Sequence, residues 1–380
     1  MRRIILCLLV CLLLTGCTVG IARRDDLTPV VSTALTSPPP ATDTPQPEPA
    51  REDAHHVELV SHTRWERWGI SAVFVRGNYA YVGDTEGHLT TLDVSDPAHP
   101  VRVSDVELPG AVHDVRVAND FAYVTTLGSC EQLDWDCRVA LRILDVSNPG
   151  APFEIGAYEW PQIAQMPWNA SITVADDAIY VADASTGLLV LDVSDPTAPV
   201  EVSRYEGLAW DVEMTGNYAH AIYSRDDWNH GYWQVLDVSV PTAPVEVGSY
   251  DISDNDWSSG ADVAVLGDYG YVADGRHGLR ILDISNPVAP FRVGSYDAPK
   301  DADGLGAIVH VAVADGYVYV DSYYAGTSIL RVLDVSDPIA LSEVGSYDIP
   351  SPVWDVAVAD GYIYVCSEDL YILRHTRPEQ

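Results

Sequence analysis

Four aspartates and one histidine recur at equivalent positions of an internal repeat, and they are the side chains with the clearest capacity for chemistry. Carboxylates and imidazoles bind cations, and hard cations such as Ca²⁺ prefer oxygen ligands. If the strands that carry these residues surround one channel, an acidic ring forms at its mouth. The sequence therefore predicts a binding site for Ca²⁺ or another hard cation at Asp114, Asp211, Asp262, His310 and Asp355.

The same recurrence also has a structural explanation, which we favour. A residue that returns at one position of a repeat usually serves the repeat, here by accepting backbone hydrogen bonds between units. His113, Trp210 and Trp354 each stand directly before a ring position and break the repeat. They are therefore the more informative candidates for ligand binding.

Aromatic side chains beside carboxylates fill several long polar segments of the chain. Exposed aromatics with neighbouring Asp suit sugar rings, cationic groups or a protein partner, although they would equally pack the segments onto the fold. The ligand-binding candidates in these segments are Trp135, Trp168, Trp228, Trp257, Tyr323 and Tyr324.

Enzyme signatures are scarce in this sequence. It contains no Gly-x-Ser-x-Gly, no His-Glu-x-x-His, no Cys-x-x-Cys and no phosphate-binding glycine loop. An extracytoplasmic hydrolase or lyase with a carboxylate and His site at the channel mouth is an alternative to a binding module. A propeller whose bound cations stiffen the ring is a second alternative.

The elements that position these residues come from one repeated unit. A Leu-Asp-Val-Ser-Asp-Pro string or a close variant recurs at intervals of 45 to 52 residues, and a truncated seventh copy ends at Leu373. Each complete unit contains four short runs rich in β-branched and aromatic residues, and all seven copies have a Gly, Asn or Asp pair at the first turn. The sequence predicts an all-β, seven-bladed β-propeller of four-stranded blades. The strings begin at Leu92, Leu144, Leu191, Leu236, Leu282 and Leu333.

The seventh copy lacks a fourth strand, and the segment 56–61 matches that missing strand. We therefore expect the N-terminal strand to complete the last blade and close the ring, which removes the open sheet edges. Copy four departs most from the repeat, since Val240 replaces an Asp or Asn. Its blade is expected to be the least regular. Cys366 lies in an apolar strand pattern and is expected to be a buried free thiol.

Length variation falls on the connections between the second and third strands and between blades. These connections emerge on one face of a propeller, whereas the two-residue hairpins and Asp-Pro turns lie on the other. Insertions confined to one face usually mark a binding face. The sequence thus predicts an interaction module that binds a protein or carbohydrate ligand through its loop-rich face.

The third-strand motif, seen as Leu-Leu-Val-Leu-Asp at 188–192 and Leu-Arg-Ile-Leu-Asp at 279–283, resembles that of the LVIVD-repeat family. The resemblance covers about Val57 to Arg374. It implies a propeller at the surface of a bacterial or archaeal cell, and it leaves the biochemical function open.

The N-terminal segment predicts export. Two arginines precede an apolar run that is too short to span a bilayer, and the run ends in a Leu-Thr-Gly-Cys string that resembles the lipobox of bacterial lipoproteins. An ordinary signal peptide that happens to contain a Cys is the alternative. We expect a signal peptide at 1–16, a lipid anchor on Cys17, a Pro/Thr-rich stalk at 17–55, the propeller at 56–375 and a tail at 376–380.

The remaining cysteines predict a disulfide, and the net charge excludes two classes of partner. Cys130 and Cys137 lie in one polar loop, and in an oxidising compartment a local disulfide is the expected pairing. The formal net charge is −35. Such a surface repels nucleic acid and anionic lipid, so contact with a membrane is expected through the lipid anchor alone.

Overall fold

The computed structural model describes residues 56–67, 69–128, 138–161, 170–224, 231–252, 262–297, 306–324 and 326–376. The side chains of Pro161 and Tyr324 are outside this description. Within the described residues, no helix has the length and apolar character to cross a membrane.

The described residues form 28 strands, and these strands group into seven antiparallel sheets of four. The first strand and those of blades 1 to 3 are β1 (Val57–Thr63), β2 (Ile70–Arg76), β3 (Tyr79–Asp84), β4 (His88–Asp93), β5 (Val101–Glu107), β6 (Ala111–Ala118), β7 (Phe121–Leu127), β8 (Arg138–Asp145), β9 (Phe153–Pro161), β10 (Ala170–Ala175), β11 (Ala178–Asp183), β12 (Gly187–Asp192) and β13 (Val200–Tyr205).

The strands of blades 4 to 7 follow in the same order. They are β14 (Leu208–Thr215), β15 (Tyr218–Ser224), β16 (Gly231–Asp237), β17 (Val245–Asp251), β18 (Asp262–Leu266), β19 (Tyr269–Ala273), β20 (Leu279–Asp283), β21 (Phe291–Tyr296), β22 (Ala307–Ala314), β23 (Tyr317–Tyr324), β24 (Thr327–Asp334), β25 (Ser342–Ile349), β26 (Asp355–Ala359), β27 (Tyr362–Cys366) and β28 (Leu370–His375).

The predicted all-β, seven-bladed propeller and its closing strand are confirmed. Blade 7 has the order β1-β28-β27-β26, so the N-terminal strand supplies its outermost strand. The first strand of blade 1, β2, contacts both β6 and β26, which joins the last blade to the first. Blade 4 is a complete sheet of β14 to β17 despite its divergent sequence. Cys366 is a buried free thiol, as expected.

The hairpin between the first and second strands follows the predicted turn chemistry. In all seven blades the first turn residue has a φ between 50° and 60°, a conformation that Gly, Asn and Asp tolerate best. These turn residues are Gly77, Asn119, Asp176, Gly216, Gly267, Asp315 and Asp360.

Hydrophobic cores lie between neighbouring blades, and polar contacts fasten several outer edges. A fourth-strand tyrosine donates its hydroxyl to a glutamate on the fourth strand of the next blade. The O–O distance is 2.7 Å from Tyr158 to Glu201 and 2.8 Å from Tyr205 to Glu246. These hydrogen bonds therefore connect the outermost strands of blades 2, 3 and 4.

The contact between blades 4 and 5 contains a large residue that its neighbour accommodates. Trp233 on β16 is fully buried, and a Cβ built on Gly270 of β19 would lie only 2.4 Å from the Trp233 ring. Since no real Cβ approaches a ring that closely, the absence of a side chain at residue 270 is what admits the indole.

Gly270→Ala is therefore expected to lower the free energy of unfolding by about 1–3 kcal/mol, because the added methyl overpacks this core. Urea denaturation measures the change. Gly150→Ala is the control, since a Cβ there meets only ordinary contacts at 3.5 Å or more. Equal stability of the two variants would contradict this account of the blade contact.

Candidate functional site at the channel mouth

The five predicted ring residues lie on the innermost strands of five different blades. Asp114, Asp211, Asp262, His310 and Asp355 belong to β6, β14, β18, β22 and β26. Each stands near the start of its strand, at the end of the ring from which the long connections emerge. The structure thus places these groups around the ring axis, as the repeat predicts.

All four aspartates accept a backbone hydrogen bond from the innermost strand of the next blade. The N–O distances to the aspartate Oδ2 are 2.7 to 2.9 Å. The structural explanation of the repeat is therefore confirmed, because each carboxylate fastens two blades at the axis. The pairs are Asp114 with Ile172, Asp211 with Val263, Asp262 with Val311, and Asp355 with Val73.

The remaining carboxylate oxygens also have partners. Asp114 Oδ1 accepts from Arg116 Nη1 at 2.6 Å. Ser171, the blade 3 residue at the ring position, donates its hydroxyl to Asp211. Burial, the charge of Asp211 and a hydrogen bond with it raise the pKa of Asp262 well above its usual value. Asp262 and Asp211 therefore form a buried pair, and the raised pKa of Asp262 favours its protonated carboxyl.

The described residues do not show the ligand geometry that the predicted cation site requires. Across the part of the chain that the structure describes, no group of three His, Cys, Asp or Glu side chains is arranged to hold a metal ion. Ca²⁺ binding at the ring residues stays a prediction, and the bonds to neighbouring strands already use one oxygen of each aspartate.

Two further charged residues, Arg116 on β6 and Glu213 on β14, stand two positions after the ring residues of their strands. Arg116 on β6 sits over the Phe74 ring, 5.7 Å from its centroid. Burial raises the pKa of Glu213 to about 7, although the Arg116 charge acts to lower it. Burial likewise raises the pKa of Asp114 to about 6. The inner surface of the ring therefore holds carboxyl groups that titrate near neutral pH.

His310 pairs with a carboxylate that the sequence analysis did not single out. Its Nδ1 lies 3.3 Å from Asp321 Oδ1, and the His310 backbone N–H donates to the same oxygen at 2.7 Å. Burial acts to lower the pKa of His310, but the negative charge of Asp321, then of Asp355 and Asp211, outweighs it and raises the pKa.

The residues that break the repeat lie on the rim of this site. β-Bulges at Val112/Asp114 and Ala209/Asp211 leave His113 and Trp210 outside the regular pairing, and bulges re-aim side chains. Trp210 Nε1 donates to Ser224 Oγ at 3.2 Å. Trp354 is 44% exposed. Burial lowers the pKa of His113 to about 4, against the opposing charge of Asp183.

Of the other ligand-binding candidates, Tyr323 is half-buried at the same end of the ring. Trp135, Trp168, Trp228 and Trp257 lie outside the described residues, as do Cys17, Cys130 and Cys137 and the side chain of Tyr324. Ligand binding by these aromatics, the lipid anchor and the disulfide stay predictions.

Sequence reasoning missed a second set of buried aspartates, at the last residue of the second strand or directly after it. Asp183 Oδ2 accepts from Trp160 Nε1 at 2.7 Å, and its Oδ1 accepts from the Thr186 backbone N–H at 2.9 Å. Trp160 is 1% exposed, so the indole of this β9 residue belongs to the core between blades 2 and 3. The signal was a Val-x-Asp string in three blades, ending at Asp84, Asp183 and Asp274.

The pKa of Glu213 predicts a pH dependence of stability. The folded state keeps a proton on Glu213 up to about pH 7, whereas the unfolded chain releases it near pH 4.5. The stabilisation of the folded state by this proton is fully present below the pKa of the unfolded chain, and it is lost as the pH rises through the pKa of the folded state. We expect Glu213→Gln to flatten the decline of the unfolding free energy between about pH 5 and about pH 8.

Urea denaturation at several pH values measures that slope. His113 and His220, whose pKa values burial lowers to about 4, act in the opposite direction below pH 6.5, so the comparison is made between variant and wild type. Exposed Glu107→Gln is the matched control. A Glu213→Gln profile parallel to that of the wild type would exclude a raised pKa of Glu213 in the folded protein.

Comparison with known proteins agrees with this architecture. The solved structures that are similar to the chain include two that cover most of it. The WD40 β-propeller domain of Doa1 has 11% identity and a TM-score of 0.58, and the match covers 84% of this chain and 97% of that one. The computationally designed Ika8 protein has 8% identity and a TM-score of 0.53, with 83% and 99% covered. These likenesses show the fold alone.

No curated protein matches the sequence. The family model described as the LVIVD repeat matches seven segments, one for each blade, at residues 70–107, 136–159, 169–207, 206–252, 259–298, 306–349 and 352–373. These segments span more than half of the chain, and all but the second begin at or close to the innermost strand of a blade. The second covers the third and fourth strands of blade 2. The chain therefore belongs to the LVIVD-repeat family.

Proposed function

We propose that this propeller is a binding module that captures a protein or carbohydrate ligand at the loop-rich end of the ring. The observation that carries the proposal is the one-sided length of the connections. Long connections such as those between Leu127 and Arg138 and between Asp251 and Asp262 emerge at one end, whereas the opposite end has two-residue hairpins and Asp-Pro turns of uniform length. Loops that a rigid scaffold positions in this way commonly bind ligands.

The chemistry of that end suits such ligands. Trp354 exposes an indole at the rim, and His113, Trp210 and Tyr323 lie at the same end. Indole and phenol rings stack on sugar faces and on cationic side chains. The net charge of −35 favours a partner with a basic surface.

A hydrolase or lyase remains the alternative, and the proximity of His310 to Asp321 is the observation in its favour. Asp321 is 1% exposed, however, and the four axial aspartates bind neighbouring strands. A carboxylate that serves the fold in this way is poorly available for general acid–base chemistry. Binding therefore explains more of the site than catalysis does.

Trp354→Ala should weaken ligand capture at least tenfold if its indole is an anchor, since buried Trp contacts carry much of the energy of an interface. Glycan arrays and pull-downs of surface proteins measure the binding. Phe291→Ala is the matched control, because Phe291 is 53% exposed at the opposite end. Equal loss in both variants, or none in Trp354→Ala, would remove this rim from the binding site.

The proposal includes attachment of the protein to the outer side of a membrane through a lipid on Cys17. Its support is the Leu-Thr-Gly-Cys string after a short apolar run, followed by a segment rich in Pro and Thr. Several acyl chains hold a protein far more firmly than one. A ligand-binding surface on a stalk would then face the surroundings of the cell.

Cys17→Ser should move the protein from the membrane fraction to the soluble extracytoplasmic fraction, because the hydroxyl cannot take up the thioether-linked lipid. Fractionation with immunoblotting reads out the change, and Cys366→Ser serves as the control. Retention of Cys17→Ser in the membrane would contradict lipid anchoring.

A further inference from the structure

The second strand of each blade follows a rule that one blade breaks. Its first residue packs into the core shared with the next blade, and it is aromatic in six blades. Tyr317, for example, meets His375 of the next blade edge-on, with ring centroids 4.7 Å apart. Blade 3 has Ala178 at this position. The aromatic residues of the other blades are Tyr79, Phe121, Tyr218, Tyr269, Tyr317 and Tyr362.

The absence of an aromatic side chain at Ala178 leaves a cavity between blades 3 and 4. The cavity has a volume of about 380 Å³ and opens at the end of the ring that has the short turns. Met214, which takes the place of a valine found in the other blades, lies in its wall without filling it. A cavity of about 150 Å³ is enough for a benzene ring.

The walls and the rim of this cavity differ in chemistry. Ala178, Met214, Val202 and Val238 supply apolar surface, and Tyr180 lies among them with 2% of its surface exposed. The rim carries three exposed carboxylates, Asp176, Asp177 and Asp192. Hydrogen bonds from Ser194 lower the pKa of Asp192, so this group is ionised at neutral pH.

We propose that the cavity between blades 3 and 4 binds a small aromatic amine, whose ring occupies the place of the missing side chain and whose ammonium group pairs with the rim carboxylates. The absent aromatic residue defines the shape, and the carboxylates define the charge. The ammonium would lie beside Asp176 or Asp192, where the cavity meets solvent. This site is separate from the channel mouth, because the hairpins at 176–177 and 216–217 lie at the opposite end of the ring.

Phenethylamine is the probe, and isothermal titration of the full chain measures its binding. We expect saturable binding to the wild type and none to Ala178→Tyr, which restores the aromatic residue of the other blades and fills the cavity. Ala98→Tyr is the matched control, since it adds the same side chain to an exposed turn. Met214→Phe fills the cavity from the facing wall if Ala178→Tyr does not fold.

The charge requirement is tested separately. Asp192→Asn should weaken phenethylamine binding by about twofold to fivefold, since an ion pair at an exposed carboxylate contributes modestly. Phenylacetate, which carries a negative charge on a similar frame, should not bind. Absence of saturable phenethylamine binding to the wild type, unchanged binding to the filled variants, or equal binding of phenylacetate would each overturn the proposal.

Discussion

The pairing of β1 with β28 is the contact on which the rest of the structure depends. It joins Val57 to His375 and Glu58 to Arg374, so it connects the two ends of the propeller sequence. Without it, blade 7 would have three strands and an exposed edge, and unpaired edges invite aggregation. Two further contacts secure the closure: the Thr376 N–H donates to His56 O at 2.7 Å, and Asp355 at the axis accepts from Val73 of blade 1.

Closure of the ring also stabilises the buried carboxyls at the axis, because it places the backbone N–H groups of a neighbouring blade beside them. A carboxylate that leaves water loses hydration energy, and backbone N–H groups of the next blade partly replace it. Where two carboxyls are close, as in Asp211 and Asp262, one keeps a proton. The recurrence of aspartate at the axis of four blades therefore has a structural reason, because each carboxyl accepts a hydrogen bond from the next blade.

The sequence predicted the fold well because the repeat specified it several times over. Alternating strands, turns with positive φ and the stray segment at 56–61 each pointed to seven closed blades. The site was harder to predict. The repeat register placed Asp114 and its equivalents at the axis, but nothing in the sequence marks the bulge that displaces His113 or brings Asp321 beside His310. Such contacts depend on tertiary geometry, which strand periodicity does not encode.

Departures from the repeat carry the most information about what this particular propeller does, and their physical consequences differ. Trp233 enlarges one blade contact, and Gly270 removes the atoms that would clash with it, so the core between blades 4 and 5 stays filled. Ala178 reduces another contact, and Met214 makes up only part of the lost volume, so a cavity remains between blades 3 and 4. Empty space in a protein core weakens packing. A compensated exchange preserves the fold, whereas an uncompensated one leaves a shaped, acid-rimmed space that a ligand can fill.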